Sequence, residues 1–246
     1  MQSDDDRRRE LAENLAEVHE RLSRACTAAG RNPDEVTLIA VTKTWPASDV
    51  IRLAGLGVTE IGENRDQEAE PKAVEVAAAG VEVRWHFIGQ LQRNKARSVV
   101  RYADLVHSVD GVRLVDALAG SVERHRDRPL DVLVQVSLDG VAGRGGALPR
   151  GGSDDEQDDA LDRVLERAAG ASGLRLRGLM AVAPMDWEPE RAFAELATIA
   201  ADVQARYPEA TILSAGMTGD VEQAIHYGAT HVRLGSAVLG NRIPLL

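Results

Sequence analysis

A chain of 246 residues, 44% of them hydrophobic, is long enough to bury a sizeable core and too apolar for wholesale disorder. It carries 29 basic against 39 acidic residues, a net charge of −10, and only 3% aromatics, which argues against nucleic acid as a partner. A single cysteine, Cys26, excludes an internal disulfide and a Cys-rich metal site. With no apolar leader and no run of about 18 apolar residues, the chain is expected to be soluble and cytoplasmic, with no membrane partner.

The first segment sets Leu11, Leu15, Val18, Leu22 and Cys26 at helical spacing and stops at Gly30. This predicts an N-terminal helix with Cys26 on its apolar stripe. From there β-rich runs fall at 37–42, 59–61, 84–87, 104–107, 130–137, 174–179, 211–213 and 231–234. Helical patterns lie between them, among others at 64–79, 91–101, 111–125, 157–169, 187–206 and 217–227. Eight strands alternating with helices predict an α/β fold closed into a (β/α)8 TIM barrel, since an open doubly wound sheet usually stops at five or six strands. Residues 1–246 read as one domain, with 1–30 as an extra helix packed on the barrel. The Gly-rich stretch 139–153 reads as a surface loop or a mobile lid, and the acidic run Asp154-Asp155-Glu156 with Asp158 and Asp159 as a solvated helix start.

In a barrel, functional groups cluster at the C-terminal strand ends. "LIAVTKTWPA" puts Lys43 at the end of the first strand. An ammonium is costly to bury, so this lysine forms a Schiff base with a carbonyl, clamps a sugar phosphate as a cation, or simply faces solvent. Across the barrel, "LSAGMTGD" supplies Ser214 and Gly216, and "RLGSAVLG" supplies Gly235 and Ser236 before a short helix. Unpaired amides at a helix start suit an anion, although Ser236 and Thr218 could equally be ordinary caps. An amine facing a phosphate cradle suits pyridoxal 5′-phosphate (PLP), which carries an aldehyde and a phosphate on one ring. Arg233, two residues before Gly235, shares its face; it either meets the pyridine nitrogen or pairs with a carboxylate inside the barrel. A guanidinium only donates, so a ring nitrogen facing it stays unprotonated and is a poor electron sink. Glu63 is the candidate carboxylate base at a strand end, and His86 reads as a hydrogen-bonded barrel histidine.

The blocks "LIAVTKTWP", "IGENRDQEA", "WHFIGQLQRNK", "VHSVD", "GLMAVAP", "LSAGMTGD" and "HVRLGSAVLG", in this order and nearly end to end, resemble the pyridoxal phosphate homeostasis protein family, the YggS/PROSC-like PLP-binding proteins. The resemblance implies a barrel of the alanine racemase N-terminal domain type (PLP fold type III). It implies that Lys43 carries PLP as an internal aldimine and that Arg233 faces the pyridine nitrogen. Ser214, Gly235 and Ser236 would hold the phosphate, Asn64 would lie near the ring and its phenolic oxygen, and Met217 would line the pocket. Asn94 and Lys95 match the family pattern without an assignable role. The chain departs from the family at Arg65, often Tyr, near Ser137, where many members have Asn, and in the length of loop 139–153. These departures bear on a lid and on any second site.

Three functions follow as alternatives. A carrier would bind PLP reversibly and pass it to PLP-dependent apo-enzymes by transient contact, with neither a catalytic residue nor a metal, most simply as a monomer. A PLP-dependent amino-acid racemase needs a second base. Tyr102, Tyr207 and Tyr227 fall in helical or loop stretches, and the chain stops at Leu246, shortly after the eighth strand. A sugar-phosphate barrel enzyme would rely on Glu63.

Overall fold

The computed structural model describes residues 3–141, 145–149 and 158–240. The alternation read from the sequence closes into a barrel of eight strands paired in chain order: β1 (Thr37–Val41), β2 (Glu60–Glu63), β3 (Arg84–Phe87), β4 (Leu105–Val109), β5 (Leu130–Gln135), β6 (Leu174–Met180), β7 (Ile212–Ser214) and β8 (His231–Leu234). All neighbours are parallel and β8 returns to β1, so Ile39 sits beside Arg233. Parallel neighbours cannot be joined by a tight turn, and helices make the crossings. These are α2 (Ala47–Gly55), α3 (Asp66–Ala78), α4 (Ala96–Tyr102), α5 (Val112–His125), α6 (Leu161–Gly170), α7 (Pro189–Arg206) and α8 (Val221–His226). An N-terminal α1 (Asp4–Ala28) and a short α9 (Ser236–Leu239) complete the order. Among the described residues, no helix is long and apolar enough to cross a membrane.

The sequence patterns miss some boundaries. Helix α2 starts directly after Pro46 and buries Val50 and Leu53, a stripe too short to stand out by periodicity. The pattern at 217–227 yields helix only from Val221, because Gly216 is left-handed (φ 93°) and Met217 to Asp220 form a turn. In that turn the Met217 amide donates to Asp220 Oδ1 at 2.6 Å and the Asp220 amide to Met217 O at 3.2 Å. Loop 139–153 and the acidic run fall partly outside the described residues; within them, α6 begins at Leu161.

Successive strand residues point to opposite sides of the sheet. One set packs against the helices in the main core. The other set fills the bore, where Leu105, Leu133 and Met180 form a separate cluster with Ile212. Helix α1 buries the predicted stripe of Leu11, Leu15, Val18, Leu22 and Cys26 against the outside of the barrel, next to α8 and α9. Asn14 Nδ2 donates to Val238 O at 3.0 Å and Arg7 Nη2 to Leu239 O at 3.0 Å, so α1 grips the last two carbonyls of α9. Arg7 also pairs with buried Asp49 of α2 at 2.9 Å and stacks on Trp45, 4.4 Å from the ring centre. Leu11 is fully buried on this helix. Leu11→Ala should lower unfolding free energy by about 2–5 kcal/mol in urea denaturation, and a loss under about 1 kcal/mol would show that α1 is not integral to the folded unit.

Candidate functional site

The C-terminal ends of the strands form a mouth, and Lys43 stands on its rim. Strand β1 stops at Val41, one residue earlier than its β-rich run suggests, because Thr42 to Trp45 turn: the Trp45 amide donates to Thr42 O at 3.0 Å. The next residue, Thr44, adopts φ 67°, a left-handed conformation rare for a β-branched residue. The turn is held from behind. Thr42 Oγ1 donates to Glu63 Oε1 at 2.6 Å, Lys72 Nζ donates to Thr42 O at 2.9 Å and pairs with Glu63 at 2.5 Å, and the Thr44 amide donates to Glu68 Oε2 at 2.9 Å. A Cβ on Gly62 would meet Ile39 Cγ2 at 2.9 Å and Val41 Cγ2 at 3.4 Å, so Gly62, Ile39 and Val41 belong to the bore side, and Lys43 follows in the turn at the end of the strand. Lys43 is exposed, and no hydrogen bond or ion pair holds its amine among the described residues.

Glu63 is one residue out of phase with Gly62 and faces α3, fully buried against Lys72. Burial raises its pKa against the opposing pull of Lys72 and Thr42. It is therefore part of the support behind the Lys43 turn, and the reading of Glu63 as a base at the mouth is corrected.

On β8, the strand beside β1, Arg233 lies inside the bore, 5% exposed. Its Nη1 donates to Ser214 Oγ at 2.7 Å and its Nη2 to Ala181 O at 3.0 Å, and burial pushes its pKa down to about 10. No carboxylate lies within ion-pair distance of it among the described residues, so the expected alternative of a carboxylate partner is not what holds it. Ser214 is fully buried and also meets His107 Nδ1 at 2.9 Å. His107 Nε2 meets His86 Nδ1 at 2.8 Å, and His86 Nε2 meets the Glu60 carboxylate. His86 is thus the hydrogen-bonded barrel histidine read from the sequence. The part played by His107 was missed, although inward alternation on β3 and β4 is the signal that pairs the two rings.

Gly235 ends β8 and precedes α9, and Ser236 opens that helix. No side-chain cap is made at Gly235 or at Asp220, which precedes α8, so neither Ser236 nor Thr218 serves as an ordinary cap. A Cβ on Gly235 would touch Val41 O at 3.4 Å, an ordinary contact, so side-chain packing alone does not demand glycine there. Met217 is 41% exposed on the loop after β7. Asn64 follows β2, and its buried Oδ1 has no partner among the described residues. Gly89, by contrast, must be glycine, since a Cβ would lie 2.1 Å from Asn64 O. The structure therefore joins Ser214 directly to Arg233 and sets Gly235 against Val41, two residues before Lys43. Asn64 and Met217 stand on neighbouring loops without a direct bond to either. Lys95 pairs with buried Asp66 at 3.7 Å and Arg65 with Glu68 at 3.6 Å, which gives both cations a local partner.

Two outcomes follow from this geometry. Removing one member of a buried ion pair strands the other, so Lys72→Met should cost about 3–5 kcal/mol in urea unfolding, and adding Glu63→Gln should restore much of it; a double variant as unstable as the single would contradict the pairing. Burial lowers the pKa of His231 to about 4, and that of His107 well below the usual range. The unfolded chain then binds protons that the folded chain refuses. Stability is full above pH about 6.5 and falls as pH drops toward 4, by on the order of 2–3 kcal/mol for the half-buried His231. His231→Gln should flatten the fall in unfolding free energy between pH 7 and 4.5, and an unchanged slope would exclude His231 as its source.

Comparison with known proteins agrees with this architecture. Residues 12–242 match the family model of the alanine racemase N-terminal domain. A pyridoxal phosphate homeostasis protein of Mycobacterium tuberculosis is 44% identical over 250 residues, spanning 96% of this chain and 95% of the relative. Another, from Escherichia coli, is 37% identical over 238 residues, spanning 95% and 97%. The solved structure of PipY from Synechococcus elongatus with PLP bound superposes with a TM-score of 0.73 at 33% identity, covering 94% of this chain and 100% of that one.

Proposed function

Because the chain belongs to the pyridoxal phosphate homeostasis protein family, we propose that it binds PLP at the barrel mouth and acts as a reversible carrier in intracellular PLP homeostasis. On this reading it is a monomeric single-domain barrel, with α1 as its extra helix, working in the cytoplasm and passing PLP to apo-enzymes. PLP supplies an aldehyde that reacts reversibly with an amine, together with a phosphate and a pyridine nitrogen that need separate partners. Lys43 provides the amine as an imine. Arg233 donates toward the ring nitrogen, while Ser214 and the amides of Gly235 and Ser236 hold the phosphate. Asn64 meets the phenolic side of the ring, and Met217 covers the rim.

One observation carries the reading: among the described residues, an exposed amine without a hydrogen bond or ion pair at the end of β1, at Lys43, and on the neighbouring strand β8 a buried guanidinium, Arg233, without a carboxylate in ion-pair contact. Further features fit. Among the described residues, only two of the five Arg233 N–H groups have protein acceptors and the Asn64 Oδ1 has no partner, and Gly235 is a glycine that side-chain packing does not require.

The same residues argue against strong catalysis. A donor-only Arg233 leaves the ring nitrogen unprotonated, which withholds the electron sink that carbanion chemistry uses. No tyrosine stands at a strand end: Tyr102 ends α4, and Tyr207 and Tyr227 follow α7 and α8.

The purified protein mixed with PLP should turn yellow, and borohydride reduction followed by peptide mapping should find the label on Lys43. Lys43→Ala should lose both colour and label. A colourless mixture, or label on another residue, would overturn the proposal. Rapid α-proton exchange of single amino-acid enantiomers in deuterated water would make the protein a racemase instead.

A further inference from the structure

Beneath the mouth, the bore holds a line of hydrogen bonds that runs from one end of the barrel to the other. It starts at Glu60, the first residue of β2, whose side chain is 20% exposed at the N-terminal end. It passes through His86 and His107, 1% and 0% exposed, to Ser214, and ends at Arg233.

Donor and acceptor roles along this line can be assigned. Arg233 only donates, so Ser214 Oγ accepts from it. Burial pushes the Glu60 pKa up, but the hydrogen bond and charge of His86 outweigh this and hold it below the usual range, so a carboxylate accepts from His86 Nε2–H. With both rings neutral, His86 Nδ1 must accept. His107 then donates from Nε2–H, its Nδ1 accepts, and the proton of Ser214 points inward at His107. Ser214 then offers the mouth only a lone pair, which repels a phosphate oxygen. One more proton reverses the line. His86, now cationic beside Glu60, donates from Nδ1 to His107 Nε2, and His107 donates from Nδ1–H to Ser214 Oγ. The Ser214 O–H is thereby freed toward the mouth.

We propose that Glu60, His86 and His107 form a relay that positions the hydroxyl hydrogen of Ser214. When a phosphate engages Ser214, one proton enters from water or the phosphate at the mouth onto Ser214 Oγ, the former Ser214 proton passes to His107 Nδ1, and the His107 Nε2 proton passes to His86 Nδ1, so that His107 switches from its Nε2–H to its Nδ1–H tautomer. No bond other than these N–H and O–H bonds changes, and no electron is transferred. The charge settles on His86 beside Glu60, and His107 stays neutral beside Arg233. The other charged and titratable groups facing the two rings are Arg84 on β3 and His231 and Arg233 on β8, the His231 ring lying 6.3 Å from that of His86. The Arg84 and Arg233 cations oppose the extra proton, Glu60 favours it, and the phosphate charge tips the balance. The three residues are positioning residues, acting through Ser214, and their role rests on the PLP reading.

The test uses 15N-labelled full-length protein and two probes, PLP and pyridoxal, which share ring and aldehyde but differ in the phosphate. Imidazole 15N resonances should report Nε2–H for His107 in the free and pyridoxal-treated protein and Nδ1–H with PLP. An unchanged His107 tautomer in a sample whose visible band shows PLP bound would overturn the relay and leave the carrier reading standing. Absence of the band would overturn both. Glu60→Gln keeps an acceptor for His86 but removes the charge that supports the added proton. It should weaken PLP binding by about tenfold and pyridoxal binding by less than about twofold. Equal losses for the two probes would show a merely structural role.

Discussion

A guanidinium keeps its proton even when buried and can never accept a hydrogen bond, so placing Arg233 inside the bore obliges the barrel to supply acceptors around it. Ser214 and the Ala181 carbonyl meet that demand in part. Ser214 then needs a partner of its own, His107, which needs His86, which needs Glu60. One buried cation thus accounts for a polar line along the bore, while Leu105, Leu133, Met180 and Ile212 form an apolar cluster of their own. Such a cation, with no carboxylate in ion-pair contact among the described residues, is costly as pure structure, which is why the mouth reads as a site for an anionic or acceptor-rich ring.

The phase of the strands decides what each charged residue can do. Ile39 and Val41 share the bore side with Arg233, whereas Thr42 and Glu63 share the helix side with Lys72, and Lys43 follows in the turn. The exposed amine and the buried ion pair are therefore two faces of one turn: the pair fixes the backbone, and the amine is left free to react. Helix α1 extends the same logic outward, since Arg7 and Asn14 hold the end of α9, whose first residues rim the mouth.

Much of this was legible in the sequence. Eight β-rich runs separated by helical patterns suffice for a closed parallel barrel, and the strand-end positions of Lys43, Ser214 and Arg233 mark the mouth. Less legible were features that depend on tertiary contact. Glu63 looked like a mouth carboxylate until alternation and Lys72 turned it toward α3. His107 gave no signal alone, since a single buried histidine gains meaning only from the ring opposite it. Helix α2 was too short for periodicity to announce, and the helix expected from residue 217 was shortened by the left-handed Gly216 and the Asp220 turn. The role of the residues around the mouth toward PLP remains a proposal, supported by family membership and by the unpaired groups just described.

The account stands on Arg233 as a donor to whatever fills the mouth. The direct measurement is the 15N chemical shift of the ring nitrogen of 15N-labelled PLP bound to the protein near neutral pH. A donor-only partner requires an unprotonated pyridine nitrogen, and the shift should lie in that range and stay there in Arg233→Lys. A pyridinium shift in the wild-type protein would mean that an acceptor, not Arg233, faces the ring, and would contradict the account at its base.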